Sequence, residues 1–369
     1  MKKKQIFKAV ALTATLGLAL TGCSTAANSS ENGADWAAAP NSDNFAAQAE
    51  TITTYALPDE WANYGALLEG FCEDNGLECS HVDSDMSSGE AIQRYVAEKG
   101  NPAGYFSDIG GLWGPVAEAA GVTPNYVPKG ATDLKSGQYA ENGGWVNTFT
   151  GVVGFLVNED VVPVPEVWDD LLSDDYANGM LGSTGLSEPI GGTQQAVMLS
   201  IALAKGGSID ATDATWEYLN ELYATGNVSD VPTSVDALIR GEYGAMLYYD
   251  FNSIAAIEQA KEQGVNLTFV VPKDGSIYMP SSILANGYNT KGMDVIKAFM
   301  DYVLTDEGQL KFADFGARPI RFVNGDLEVP DDRRVRWLPE EMYVDTQVID
   351  PSTVDPEQLI KDYNANITN

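Results

Sequence analysis

The chain has 369 residues, with 53 Asp and Glu against 21 Lys and Arg, and a formal net charge of −32. So acidic a surface argues against docking on nucleic acid or an anionic membrane face, and for attraction of cations. The one histidine, His81, and the two cysteines besides Cys23, namely Cys72 and Cys79, fall short of the four N and S ligands of a zinc site, so none is expected.

The N-terminus, "MKKKQIFK", carries Lys2, Lys3, Lys4 and Lys8 and no acid, and Ala9 to Leu20 is an apolar run of 12 residues. That run is too short to span a bilayer but suits the apolar core of a signal peptide. It ends in Leu20-Thr21-Gly22-Cys23, which resembles the lipobox of bacterial lipoproteins. The resemblance implies a signal peptide over 1–22 and a diacylated, palmitate-type anchor on Cys23. Residues 23–50 are rich in Ala, Asn and Ser without periodicity and read as a flexible linker, with room for a short helix near 43–50. Without the four signal-peptide lysines, 17 basic residues face 53 acidic ones, a net −36.

The remainder, from Thr51, is long enough for two domains. Thr51 to Ala56 alternates as a strand, followed by a Leu57-Pro58-Asp59 turn and a helix. "LECSHVDSD" is a second strand. "SSGEAIQRYVAEKGN" is a helix with Ser87 and Glu90 spaced as a capping box, and "AGYFSDIGG" a third strand. Cys72 and Cys79, in an exported chain, are expected to pair as a disulfide. "WGPVAEAAGV" is a short helix, and Val152 to Val157 a nearly continuous apolar strand. A Trp168-containing helix is expected after Pro163 and Pro165. Further alternation leads to "GEYGAMLYYD", "NSIAAIEQAKEQG", "NLTFVVP" and the long helix pair "KGMDVIKAFMDYVLTDEGQLKFADFG", with its Lys and Glu expected outward. Alternating strands and helices imply a parallel α/β sheet covered on both faces. The tail from Phe322, with Trp337 and a last helix at Pro356 to Tyr363, is expected to pack back on the body.

The order "TGVVGFLVNEDVVPVPEVWDDLL", "GEYGAMLYYD", "VVPKDGSIYMPSSILAN" and "IKAFMDYVLTDEGQLKFADFGARPIR" resembles type II extracellular solute-binding proteins of bacterial ABC importers, in the branch that includes ferric-iron and polyamine binders. "LPDEWANYG" also resembles that branch's first-strand loop, and the likeness covers about residues 51–321. It implies a two-lobed α/β periplasmic-binding-protein type II fold, with hinge strands and a cleft between lobes. Lobe 1 is expected from 51–150 plus 289–369 and lobe 2 from 151–288, with hinges near Phe149 to Val153 and Leu284 to Asn289. It further implies a lipid-anchored monomer on the outer side of the cell membrane (or in a periplasm), whose partners are a small solute, a permease and an ATPase. No cofactor is implied.

Ligands of open α/β sheets bind at the carboxyl ends of strands. That rule selects Asp59, Glu60 and Trp61 after the first strand, and Asp108 after the third. It also selects Thr184 in "GSTG", Thr193 in "GGT" at a helix start, and Tyr248, Tyr249 and Asp250. Arg318 in "GARPIR" is one of few cations near a cleft element. Phenols wall off water and grip cations, and a carboxylate at their rim pairs with them. Each also has an ordinary reading. Asp59, Asp108 and Asp250 suit helix caps, and Tyr248 suits the core, because neighbouring strand residues face opposite ways. The "GGT" helix start suits a phosphate or carboxylate, or is a plain tight turn. Arg318 clasps an anion or forms a surface ion pair.

The acidic-aromatic set favours a polyamine-like cation, or ferric iron on Tyr248 and Tyr249. The alternative is an anionic organophosphonate or sugar phosphate. An enzyme is not expected: no G-x-S-x-G elbow, H-E-x-x-H, P-loop or dinucleotide fingerprint occurs. A hydrolase using paired carboxylates is the remaining catalytic alternative.

Overall fold

A computed structural model describes residues 35–350 and 353–367, so the expected signal peptide and the lipid-bearing Cys23 lie outside the described residues. Where the sequence suggested linker, residues 35–50 are docked. The one-turn helix α1 (Phe45–Gln48) follows a 3₁₀ turn, and both Trp36 and Phe45 are buried. Asn41 N and Asn44 Nδ2 donate to the Asp294 carboxylate at 3.0 and 2.7 Å, while Gln48 Oε1 accepts from the backbone of Asp294 and Val295. Gln48 thus satisfies two free amides of a helix start, while Asn41 and Asn44 hold the carboxylate in its first turn.

β1 (Thr51–Tyr55), β2 (Ser80–Ser84) and β3 (Phe106–Gly110) form a parallel run in the order β2-β1-β3. The helices α2 (Tyr64–Asp74) and α3 (Ser88–Ala97) make the crossovers. Ser87 and Glu90 cap α3 reciprocally. A Cys72–Cys79 disulfide joins the end of α2 to the lead-in of β2. α4 (Gly114–Ala119) follows β3, with Pro115 in its first turn.

β4 (Trp145–Asn158) is buried along its whole length, as a strand covered on both faces must be. After it, the expected Trp168 helix is only a 3₁₀ turn, Trp168–Leu172. The Asp170 carboxylate accepts from Glu166 N and Val167 N, closing the chain on itself where a longer helix had been expected. Next come α5 (Gly192–Gly206), α6 (Thr212–Thr225), α7 (Val235–Ile239), β5 (Ala245–Tyr249), α8 (Asp250–Glu262), β6 (Leu267–Val270) and β7 (Ser276–Ala285). As far as Val152, β4 pairs antiparallel with β7; from Val153 onward it pairs with β5 and β6. One strand therefore serves two sheets, a larger one with β1, β2, β3 and β7 and a smaller one with β5 and β6.

The chain returns to the larger sheet through α9 (Met293–Tyr302) and α10 (Asp306–Phe315). Lys297 of α9 does not face outward; it is buried and donates to Ala38 O at 2.9 Å. β8 (Arg318–Pro319) pairs with β4, α11 (Ile320–Asn324) follows, and β9 (Thr346–Val348) runs parallel to β7. The final helix, α12 (Pro356–Asn366), touches both halves. Ile360 packs on the larger half's cluster containing Trp113 and Ala117. In the smaller half, Tyr363 Oη donates to Leu186 O at 3.3 Å and Asn364 Nδ2 donates to Glu188 at 2.5 Å. Among the described residues no helix is long and apolar enough to cross a membrane.

Candidate functional site

The loop after β1 is bent through left-handed backbone at Ala56, Ala62 and Asn63, with φ of 57°, 48° and 74°. Such conformations are costly for residues with a Cβ and need holding in place. Leu57 N donates to Asp83, Asn63 Nδ2 to Lys311 O, and Asp59 meets His81 Nδ1 at 2.6 Å. Pinned in this way, the loop directs Trp61 inward, where its Nε1 donates to Asp108 Oδ2 at 2.8 Å.

Asp108, midway along β3 rather than after it, borders a cavity of about 400 Å³. The larger half contributes Pro58, Trp61, Asp85 to Ser88, Asp108 and Gly110 to its lining; the smaller half contributes Gly191 to Gln194 and Tyr249. The floor is Phe149 and Gly151 of β4, Met279 to Ser281 of β7, and Phe251. The cavity thus lies between the two halves, over the strands that join them.

The two halves touch around it. Gly89 N donates to Ile190 O at 3.4 Å, and Trp61 meets Tyr249 and Phe251 edge-on at ring-centre distances of 5.9 and 5.3 Å. A Cβ on Gly110 would lie 2.8 Å from Gly192 Cα, so the backbones meet where only glycine fits. This is a closed cleft. Gly151 serves the floor in the same way: a Cβ there would sit 2.4 Å from the Phe251 ring.

The buried Asp108 carboxylate accepts from Tyr64 Oη (2.9 Å) and from Ser281 Oγ (3.0 and 2.9 Å) as well as from Trp61. Burial pushes its carboxyl up to about 7, against the pull of those Ser281, Tyr64 and Trp61 donors. No Lys, Arg or His lines the cavity, whereas Asp85 and Asp108 do. Opposite them stands the N-terminus of α5, whose cap, Gly191, has no side chain to fill the first-turn amides.

Of the ten side chains singled out from the sequence, Trp61, Asp108, Thr193 and Tyr249 line this cavity. The others are placed elsewhere. Asp59 faces His81 on the outside, and Glu60 is exposed. Thr184 lies half-buried in a turn whose Gly185 packs on Val197 of α5. Tyr248 packs into the smaller half's core with Val152, Met246 and Phe269, on the face of β5 opposite Tyr249.

Asp250 is buried one position inside α8, so it is not the cap; Tyr249 is. Its carboxylate accepts from Val152 N, Phe251 N and Tyr343 Oη. Burial raises it to about 6, opposed first by the Val152 bond and then by the Arg318 charge. Arg318 is neither in the cavity nor on the surface. It pairs with Glu340 at 2.9 Å between the Trp337 and Tyr343 rings. The sequence reading passed over Phe251, Met86 and Ser281 as wall residues. Phe251 adjoins the aromatic pair already noted, but nothing local ties Ser281 to Asp108, 173 positions away.

Comparison with curated protein sequences gave no significant match. Among solved structures, the fold is similar to the ferric binding protein of Campylobacter jejuni (TM-score 0.63, 16% identity, 85% of this chain and 98% of that one covered). It is similar also to AfuA of Actinobacillus pleuropneumoniae with fructose-6-phosphate bound (0.62, 19%, 86% and 98%). A third is the spermidine/putrescine substrate-binding protein PotD of Streptococcus pneumoniae (0.56, 18%, 86% and 99%). All share the two-lobed type II binding-protein architecture. Residues 114–344 match the family described as bacterial extracellular solute-binding protein. A match over more than half its length, on a chain folded into two lobes around a cleft, makes this protein a member of that family.

Proposed function

We propose that this chain is the solute receptor of an ABC importer, moored to the membrane by a lipid on Cys23. It closes its lobes on a small organic cation and passes it, unaltered, to a permease and its ATPase. The observation that carries the cargo class is the cavity wall: two carboxylates, no cationic side chain, and the rings of Trp61, Phe149, Tyr249 and Phe251. A buried carboxylate without a cationic partner is costly, and a cationic guest relieves that cost most fully when the cleft is shut. Closure pivots where β4 passes from one sheet to the other. The expected lobes, 51–150 plus 289–369 and 151–288, need one change, because Ser281 to Ala285 of β7 pair with β3 in the larger half, so the return crossing lies before Leu284.

The ferric reading required both phenols in one cleft. Tyr248 faces the other way, and Tyr249 donates to Gly192 O at 3.3 Å, its phenol pushed up by burial and then by Asp108 and Asp250. Among the described residues no group of three His, Cys, Asp or Glu is placed to hold a metal ion. For a sugar phosphate or phosphonate, the α5 N-terminus offers amides but no basic side chain joins them. The cation is therefore favoured.

The test is a melting-temperature panel of putrescine, spermidine, choline, ferric citrate, 2-aminoethylphosphonate and fructose 6-phosphate, with each compound assayed afterward for chemical change. An organic cation is expected to raise the melting temperature and be recovered intact; at a hundredfold over its dissociation constant the stabilisation is about 2.7 kcal/mol. A response confined to ferric citrate or the phosphate, or consumption of the compound, would refute the proposal.

A further inference from the structure

We infer that the cationic centre of the cargo is an N-methylated, quaternary ammonium rather than a primary amine, an inference that rests on the organic-cation reading above. The reason lies in how Asp108 is already engaged. A carboxylate offers about four lone-pair directions. Here Oδ1 accepts from Tyr64 and Oδ2 from Trp61, while the one Ser281 hydroxyl lies between both oxygens, all at 2.8 to 3.0 Å. The protein's own donors fill about three of those directions, so Asp108 supplies charge but at most one vacant acceptor position. A primary ammonium carries three N–H donors and pays for each one left unpaired once water is excluded. A quaternary ammonium has none to satisfy.

The walls suit such a group. Trp61 stands at 80° and 83° to the Tyr249 and Phe251 rings, and Phe149 at 86° to Phe251. Tyr249 and Phe251 are stacked at 5.3 Å. The rings pack against one another and all four border the cavity, so the ring surface left facing it can hold a methylated cation by cation–π attraction. The Tyr249 hydroxyl is turned to Gly192 O, and the Trp61 N–H to Asp108. Both rings therefore spend their polar ends on the protein. The exposed Asp85, at the rim, attracts a cation on approach while remaining hydrated.

The experiment is calorimetric titration of the purified protein with ethanolamine, N-methylethanolamine, N,N-dimethylethanolamine and choline, a series that differs only in methyl count, with putrescine and fructose 6-phosphate alongside. Affinity is expected to rise along the series, with choline at least tenfold tighter than ethanolamine. Tyr249→Leu and Asp108→Asn, each confirmed folded by circular dichroism, are expected to weaken choline at least tenfold. Ethanolamine or putrescine binding as tightly as choline overturns the quaternary inference and leaves the cation reading standing. Silence from every amine, with fructose 6-phosphate bound, overturns both.

Discussion

Asp108 keeps its charge out of water with neutral donors alone, and Asp250 does nearly the same beside Arg318. Both carboxyls, at about 7 and about 6, titrate above the unfolded value near 3.9. Between those limits the native state holds more protons than the unfolded chain, so stability falls as pH rises through the window from about 4 to 7. The unliganded protein is expected to melt higher at pH 5 than at pH 7.5, and Asp108→Asn to flatten that slope; differential scanning calorimetry reads both. A bound cation reverses the preference. If it needs ionised Asp108, its affinity is expected to be about tenfold weaker at pH 6 than at pH 8. Gly110 makes a different kind of prediction. Its φ of −57° suits any residue, so Gly110→Ala adds no backbone strain, but the added methyl would press on Gly192 and hold the halves apart. The expected result is ligand binding weakened about tenfold or more, about 1.4 kcal/mol, read by calorimetric titration. At this scale the sequence was partly legible. Strand ends and residue chemistry picked out Trp61, Asp108 and Tyr249. Alternation along β5 warned that Tyr248 and Tyr249 cannot share a face, but did not say which one turns inward. That is decided by Gly151 on the neighbouring strand, which leaves space for the Tyr249 and Phe251 rings.

The elements that read correctly from sequence are those whose stabilisation is local. α3 announces itself through Ser87 and Glu90 three positions apart, and the cap forms as a reciprocal pair. The Val152 to Val157 part of β4 follows from its apolar run. The Trp168 segment misled because its apolar spacing was real but its backbone amides are taken by Asp170 and Asp274 side chains. Residues 35–50 misled for the opposite reason: their partners lie on α9, some 250 positions further along the chain. The Cys72–Cys79 bridge is a local device. It closes a loop of 7 positions between α2 and β2, which the chain-entropy estimate values at about 2.5 kcal/mol. Reduction, or a Cys72→Ser/Cys79→Ser double variant, is expected to lower unfolding free energy in urea by about that amount. Cation affinity should change little, since neither cysteine lines the cavity.

At the scale of the whole molecule, two sheets hold one cleft because a single strand, β4, belongs to both. The two-lobed plan was legible from the order of motifs. The state of the cleft was not, because closure depends on backbone meeting backbone at Gly110 and Gly192, and no periodicity encodes such a meeting. The tail was legible only as something that packs back. Its last helix lies beyond the stretch shared with the family, which ends at 344, yet α12 grips Leu186 and Glu188 on one side and the Trp113 cluster on the other. A seat belt fastened to both doors slows their opening. Cutting the chain after Asp350 is therefore expected to speed escape of a bound cation severalfold in stopped-flow measurements, while its rate of entry changes less. For a receptor that must unload at a permease, the docking partner then has to unbuckle this helix as well as part the halves, so release would be timed by the transporter rather than by the leak of an unattended cup.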